Sequence, residues 1–291
     1  MKRRTFIQQT ALAAAGAMAA PSAIAGWRKE KTSAIGLQLY TLKDIIRKDV
    51  KGTLQKVAEI GYEELEAYSY ADGKIFGLPY QDFSAMVKDL GMSIVSGHYG
   101  TGKMMPTMKG SLVNDWERAV EDAAKAGQRY TVIAWLAPDE RKSIDDYKST
   151  CELLNKSSEV CRKAGITLGY HNHDFEFTRL DGQVPYEVML KELDPLVIME
   201  LDIYWSTFSG YEAIDLFKKY PGRFPLWHVK DMDKQDRKKN SDVGAGSIDY
   251  KAILAESKQA GLKHFFIEQE YFIGSQIDSI TNGYKHLKGL V

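Results

Sequence analysis

The chain has 291 residues, of which 44% are apolar, 27% charged and 11% aromatic, with 39 basic side chains against 39 acidic ones. This composition excludes a disordered, collagen-like or coiled-coil protein. A near-neutral balance lacks the clustered Lys and Arg on which non-specific nucleic-acid binding rests, and two cysteines cannot staple a disulfide scaffold.

Residues 1–25 read as a removable leader. Lys2, Arg3 and Arg4 open it, an apolar stretch without a polar face runs over residues 11–20, and Ala23-Ile24-Ala25 supplies an A-x-A cleavage pattern before Gly26. The stretch is shorter than the roughly 20 apolar residues that span a bilayer, so no stable membrane insertion is expected. It resembles a twin-arginine export signal, which predicts periplasmic residence for the mature chain 26–291. Loss of three basic residues leaves that chain with 36 basic and 39 acidic side chains, a balance of −3.

From residue 34 onward one unit recurs: an amphipathic helix, a glycine, then a short β-rich run ending in polar residues. Ala34 to Tyr40 is the first such run. Helices closed by Gly61, Gly91, Gly127 and Gly165 lead into Tyr62–Tyr68, Met92–His98, Tyr130–Trp135 and Ile166–His171. Asp194-Pro195, Gly222 and Gly261 precede Leu196–Asp202, Phe224–His228 and Lys263–Glu268. Glycine suits these helix ends because it takes positive φ without a Cβ penalty. Eight strands, each followed by a helix, predict parallel pairing and a single (β/α)8 TIM barrel over residues 26–291. The competing doubly wound sheet lacks a Gly-rich phosphate loop after its first strand. Cys151 and Cys161 fall ten residues apart on a helix predicted over 143–164, hence roughly 15 Å apart along its axis, too far for a disulfide.

Alternation along the last four runs separates two faces. Ile166, Leu168, Tyr170, Met199, Leu201, Ile203, Trp227, Val229, Phe265 and Ile267 form the apolar set and must meet the helices. His171, His173, Glu200, Asp202, Leu226, His228, Lys230, Phe266, Glu268 and Glu270 then face the barrel axis, the polar ones near the C-terminal strand ends where barrel active sites lie. Two imidazoles and two carboxylates, His171, Asp202, His228 and Glu268, converge on adjacent strands and call for a divalent cation, Mn, Zn, Co, Ni, Fe or Mg. Glu200 sits one layer deeper, as a ligand in place of Asp202 or as a group that orients one.

Five segments carry a resemblance: Tyr170–Phe177 (YHNHDFEF), Leu201–Trp205 (LDIYW), Trp227–Asp231 (WHVKD), Val243–Asp249 (VGAGSID) and Phe266–Glu270 (FIEQE). In this ordered set the chain resembles the sugar phosphate isomerase/epimerase family of the xylose isomerase-like barrel superfamily, which also includes inosose dehydratases and AP endonucleases. The resemblance implies a metal site at Asp202, His228 and Glu268. It also implies sugar-holding roles for Gln38, Tyr40, Glu66, Tyr68, His98 and Trp135. The family usually has a glutamate at the end of the fifth strand, where this chain has His171, and that departure puts a symmetrical two-carboxylate proton shuttle in doubt.

The expected function is a metal-dependent sugar isomerase or epimerase that removes a proton beside the carbonyl of a keto sugar through a metal-held enediolate. Glu268 is the preferred base and Lys230 stabilises the enolate oxygen, while His171 replaces the missing carboxylate. His173, Glu176 and Glu270 are further substrate-side candidates. A 3-keto-glycoside lyase or hydratase using the same enolate chemistry is the first alternative, and a non-catalytic periplasmic sugar-binding protein the second. The partner expected is a small carbohydrate, for a monomer or a homo-oligomer. His264 and His286 read as structural, Gly244 and Gly246 as shaping a loop, and the basic run 234–239 as a solvated loop face.

Overall fold

The helix–glycine–strand repeat closes on itself. The computed structural model describes residues 34–291, so the leader read over residues 1–25 lies outside them. Eight strands form a closed, all-parallel barrel: β1 (Gly36–Gln38), β2 (Glu64–Ala67), β3 (Ser93–Tyr99), β4 (Tyr130–Ile133), β5 (Thr167–His171), β6 (Ile198–Asp202), β7 (Leu226–Val229) and β8 (His264–Ile267). β8 pairs with β1, which completes the ring. Helices follow the strands, among them α1 (Val50–Ile60), α2 (Tyr80–Asp89), α3 (Trp116–Ala126), α4 (Ile144–Lys163), α5 (Pro185–Glu192), α6 (Ala213–Lys219), α7 (Tyr250–Ala255) and α8 (Gln276–Lys288). Among the described residues no helix is long and apolar enough to cross a membrane.

Each predicted strand is present; the third keeps its length of 7 residues but lies one residue later, and the other observed strands are shorter. The first stops at Gln38 because its side chain accepts from Tyr40 N and caps a 3-10 turn, Leu39–Leu42. The fourth stops at Ile133, which leaves Trp135 in the loop beyond it.

The alternation sorts as expected. The apolar faces of the last four strands join the core between barrel and helices. Leu226 and Phe266 pack with Val95 and Val132 in a separate plug inside the barrel. Phe266 fits there because β1 offers Gly36, where a Cβ would stand 2.4 Å from the Phe266 ring. Below the plug, His264 Nδ1 lies 2.7 Å from Glu64 Oε2, far from the strand ends that carry the polar groups.

One irregularity redirects a side chain. Leu65 pairs with Ile94 but Glu66 pairs with Ser96, so β3 carries one extra residue at this bulge. Ile94 and His98 would share a face in a regular strand; here Ile94 joins the outer core and His98 points inward.

The basic run 234–239 is more than a solvated loop. It tips a hairpin formed by Asp231–Met232 and Asn240–Ser241. Arg237 at that tip donates to the Thr207 carbonyl at 2.9 Å, and Tyr204 Oη donates to the Arg237 carbonyl at 2.7 Å. Cys151 and Cys161 are separate buried thiols on α4.

Candidate metal centre and substrate pocket

The C-terminal strand ends form the floor of a cavity of about 590 Å³. Its walls include Tyr40, Tyr68, Met108, Trp135 and His173, its floor His98, His171, Lys230 and Glu268, and its edge Glu270. Barrel strands splay at this end, and the loops beyond them supply the walls.

His171, Asp202, His228 and Glu268 each bring one donor atom into a group whose members lie within 4.8 Å of one another, all buried. Their placement follows from the stagger of the barrel. His171 pairs in register with Glu200, and Asp202 with His228, so each strand presents its polar end one step around the ring. Asn172 locks the step, since its amide accepts from Asp202 N at 3.1 Å and donates to the Asp202 carbonyl at 3.2 Å. Asp202 also caps the short helix Ile203–Phe208 by accepting from Trp205 N at 2.9 Å.

Lys230 lies among the carboxylates, its Nζ 3.0 Å from Asp202 Oδ2, 2.8 Å from Glu268 Oε2 and 2.6 Å from Glu270 Oε1. His228 Nδ1 is 2.7 Å from Glu268 Oε2, and His171 Nε2 is 3.9 Å from Asp202 Oδ2. Beneath these groups Glu66 Oε2 accepts from Gln38 Nε2 at 2.7 Å and lies 2.5 Å from His228 Nε2. Glu200 Oε2 lies 3.1 Å from His171 Nδ1. Histidines that bind metal commonly donate their second ring nitrogen to a carboxylate, and Glu66 and Glu200 stand where such acceptors belong.

The electrostatics follow from burial against charge. Burial raises the Glu268 carboxyl, but the Lys230 ammonium and His228 outweigh it and hold the group far below the usual carboxylate range. Asp202 is raised, by burial first, with Lys230 opposing. Glu200 is pushed up to about 7 by burial and by the Glu66 charge. Burial, then the charge of His228, depresses His171, and burial with Lys230 takes His173 down to about 3, so both rings are neutral at pH 7.

These residues fit a divalent ion. The donor set is two imidazoles and two carboxylates, and Asp202 Oδ2 is buried without a hydrogen bond of good geometry although Lys230 stands beside it. Of the four buried carboxylates, Asp202 and Glu268 face the buried Lys230 ammonium while Glu66 and Glu200 face the His98 and His228 rings, an excess of acidic groups that a divalent cation would offset.

The remaining candidates divide. His98 and His173 border the cavity, Trp135 is 48% exposed at its mouth, and Glu270 sits at its edge. Glu66 lies under the floor instead of in the cavity. Glu176 is not brought to the cavity: it is buried, accepting from Tyr170 Oη at 2.5 Å and from His173 N at 2.8 Å, with its carboxyl pushed up to about 7 by burial. Past His171 the chain leaves the strand and forms a turn at Phe175–Phe177, so strand parity no longer applies. Its role here is to hold the backbone of His173. Met108 was not singled out from the sequence and carries no signal there; Asn172 had one, lying between the two histidines of the fifth-strand motif.

Residues 54–289 match the family model described as a xylose isomerase-like TIM barrel. The crystal structure of a sugar phosphate isomerase/epimerase from Parabacteroides distasonis is similar, with TM-score 0.77 and 28% identity over 87% of this chain and 97% of that one. A crystal structure of IolI with a bound zinc atom shares the fold at TM-score 0.66 and 14% identity, covering 88% of this chain and 97% of that one. An inosose dehydratase from Geobacillus kaustophilus is 22% identical over 199 residues, 62% of this chain. The chain spans 61% of that relative's own length. With the closed eight-stranded barrel, these matches establish that the chain belongs to the xylose isomerase-like TIM barrel family.

Proposed function

We propose that the protein is a divalent-metal-dependent sugar isomerase, epimerase or lyase that removes a proton next to the carbonyl of a keto sugar. The observation that carries the reading is the convergence of His171, Asp202, His228 and Glu268 at the strand ends, where His171 and Glu268 also line the cavity, with Lys230 beside Asp202 and Glu268. Asp202, His228 and Glu268 would hold the ion, with His171 within reach as a further donor. An ion there supplies Lewis acidity toward a carbonyl and the hydroxyl beside it.

The chain's own groups account for the rest. Glu268, kept ionised by Lys230 and His228, is the proton acceptor at the cavity floor. Lys230 Nζ has its hydrogen bonds aimed at carboxylates in the resting site and lies where it would donate to a developing oxyanion. His173 presents a buried Nδ1 without a partner, suited to a substrate hydroxyl. Trp135 and the edge-on pair Tyr40 and Tyr68, 5.2 Å between ring centroids, give the cavity apolar faces for a sugar ring.

His171 leaves the floor without a second opposed carboxylate, which favours a one-base reaction. Elimination from a keto sugar or a 3-keto-glycoside is therefore the second reading, supported by the inosose dehydratases among the relatives. Incubation with keto sugars and 3-keto-glycosides in D2O, followed by NMR, tests both. Deuterium entering the carbon beside the carbonyl is expected; release of water or an aglycone selects elimination. No exchange into any substrate that binds would leave a sugar-binding protein.

Export belongs to the same proposal and rests on residues 1–25. The expected N-terminus of protein recovered from a periplasmic fraction is Gly26. An intact Met1 on protein confined to the cytoplasm would overturn it.

A further inference from the structure

A second convergence lies directly beneath the cavity floor. His98 Nε2 stands 3.0 Å from Glu66 Oε2 and 2.9 Å from Glu200 Oε2. His228 Nε2 stands 2.5 Å and 3.3 Å from the same two oxygens. His171 Nδ1 joins at 3.1 Å from Glu200 Oε2. Glu66 Oε1 and Glu200 Oε1 are buried without a hydrogen-bond partner, an unfavourable state if left so. One donor atom from each of His98, His171, Glu200 and His228 lies within 4.8 Å of the others.

We propose that this lower layer is a cation site of its own, taking a first-row transition ion through His98 Nε2, His171 Nδ1 and Glu200, separate from an ion held by Asp202, His228 and Glu268. The argument is one of lone pairs. The upper and lower donor groups share His171 and His228, and a neutral imidazole has one lone pair and one N–H, so a ring serves one ion only. His228 turns Nδ1 up toward Glu268 at 2.7 Å and Nε2 down toward Glu66 at 2.5 Å. With its proton on Nε2, donated to Glu66, its lone pair goes to the upper group. His171 is the reverse: Nδ1 is 3.1 Å from Glu200 below, while Nε2 is 3.9 Å from Asp202 above. With its proton on Nε2, facing Asp202, its lone pair goes to the lower group. Each nitrogen is then used once, and each site keeps imidazole and carboxylate donors.

That donor set suits Zn, Co, Ni or Fe over Mg or Ca. Metal–ligand bonds of about 2.0–2.3 Å put two ligands of one ion at most about 4.6 Å apart, and the donor atoms here stand 2.9 and 3.1 Å from Glu200 Oε2 and within 4.8 Å of one another. The layer reaches the cavity only through the edges of His98, 11% exposed, and His171, 2% exposed, so the lower ion would brace the floor and not touch substrate.

The alternative is that protonated His98 and His228 alone neutralise Glu66 and Glu200. Chelator-stripped full chain titrated with Co2+ alone, read by elemental analysis and visible absorption, separates the two. Two equivalents per chain are expected in the wild type, and one each in His98→Ala and Asp202→Asn. Glu200→Gln, nearly isosteric, guards against loss of fold in His98→Ala and is expected to weaken the second equivalent at least about 10-fold. One wild-type equivalent that survives both His98→Ala and Glu200→Gln but not Asp202→Asn overturns the lower site and leaves the proposed function standing. One equivalent lost in His98→Ala and kept in Asp202→Asn upholds the lower site and removes the upper one. No binding at all overturns both.

Discussion

Glu268→Gln is expected to lower turnover by at least about 1,000-fold while leaving the fold intact. The substitution keeps size and shape but removes the charge that Lys230 and His228 jointly hold. Proton transfer from a positioned side chain contributes roughly 100- to 10,000-fold, and here the same carboxylate is also a metal donor, so both losses fall on one variant. Activity should not return with excess metal, since the acceptor itself is gone. Steady-state rates at saturating Co2+ or Mn2+ check this. A variant within tenfold of wild type would move the base to Glu270, the remaining carboxylate at the cavity edge.

Lys230→Met is expected to damage both catalysis and stability. Removing one preorganised donor to a developing oxyanion costs on the order of 100- to 1,000-fold in turnover. Removing one member of a buried ion pair costs about 3–5 kcal/mol, because Asp202 and Glu268 are left facing each other without their shared cation. The pH dependence has a definite sign. In the wild type the Glu268 carboxyl lies below its ordinary value, so its contribution is present above the usual carboxylate range and fades as pH falls through it. Without Lys230 the buried carboxylates rise, bind protons more readily when folded, and the variant should gain stability relative to wild type as pH falls from 7 to 5. Urea midpoints at several pH values in chelator measure the trend. An unchanged difference between the two proteins across that range would mean that Lys230 does not govern these carboxylates.

The barrel was legible in the sequence because strand parity and glycine helix ends are local signals. His171, Asp202, His228 and Glu268 were legible for the same reason, each lying on or just past a regular strand. The lower layer was harder to read. Glu66 was placed with the sugar-holding residues, yet the stagger that pairs it with Ser96 sinks it under His228. His98 reaches the floor through a bulge that no composition signal marks. Glu176 was named for its carboxylate beside the fifth-strand histidines, yet it lies in the turn beyond that strand and holds Tyr170 Oη and the His173 backbone instead of lining the cavity.

Asp231, just after Lys230, accepts from the backbone N–H groups of Met232, Gly244, Gly246 and Ile248 at 2.8–3.0 Å. A Cβ on Gly246 would stand 2.2 Å from Asp231 Oδ1, so the two glycines shape this loop, as expected, by letting its backbone close around the protein's own carboxylate. The loop is thereby fastened to the strand that carries His228 and Lys230.

Burial raises the two thiols, Cys151 to about 12 and Cys161 to about 11. At neutral pH roughly one molecule in ten thousand or fewer would carry the reactive thiolate at either position. Helix α4 therefore shields its two buried sulfurs from mixed-disulfide exchange, so neither an oxidising nor a reducing milieu gives these thiols a reason to pair.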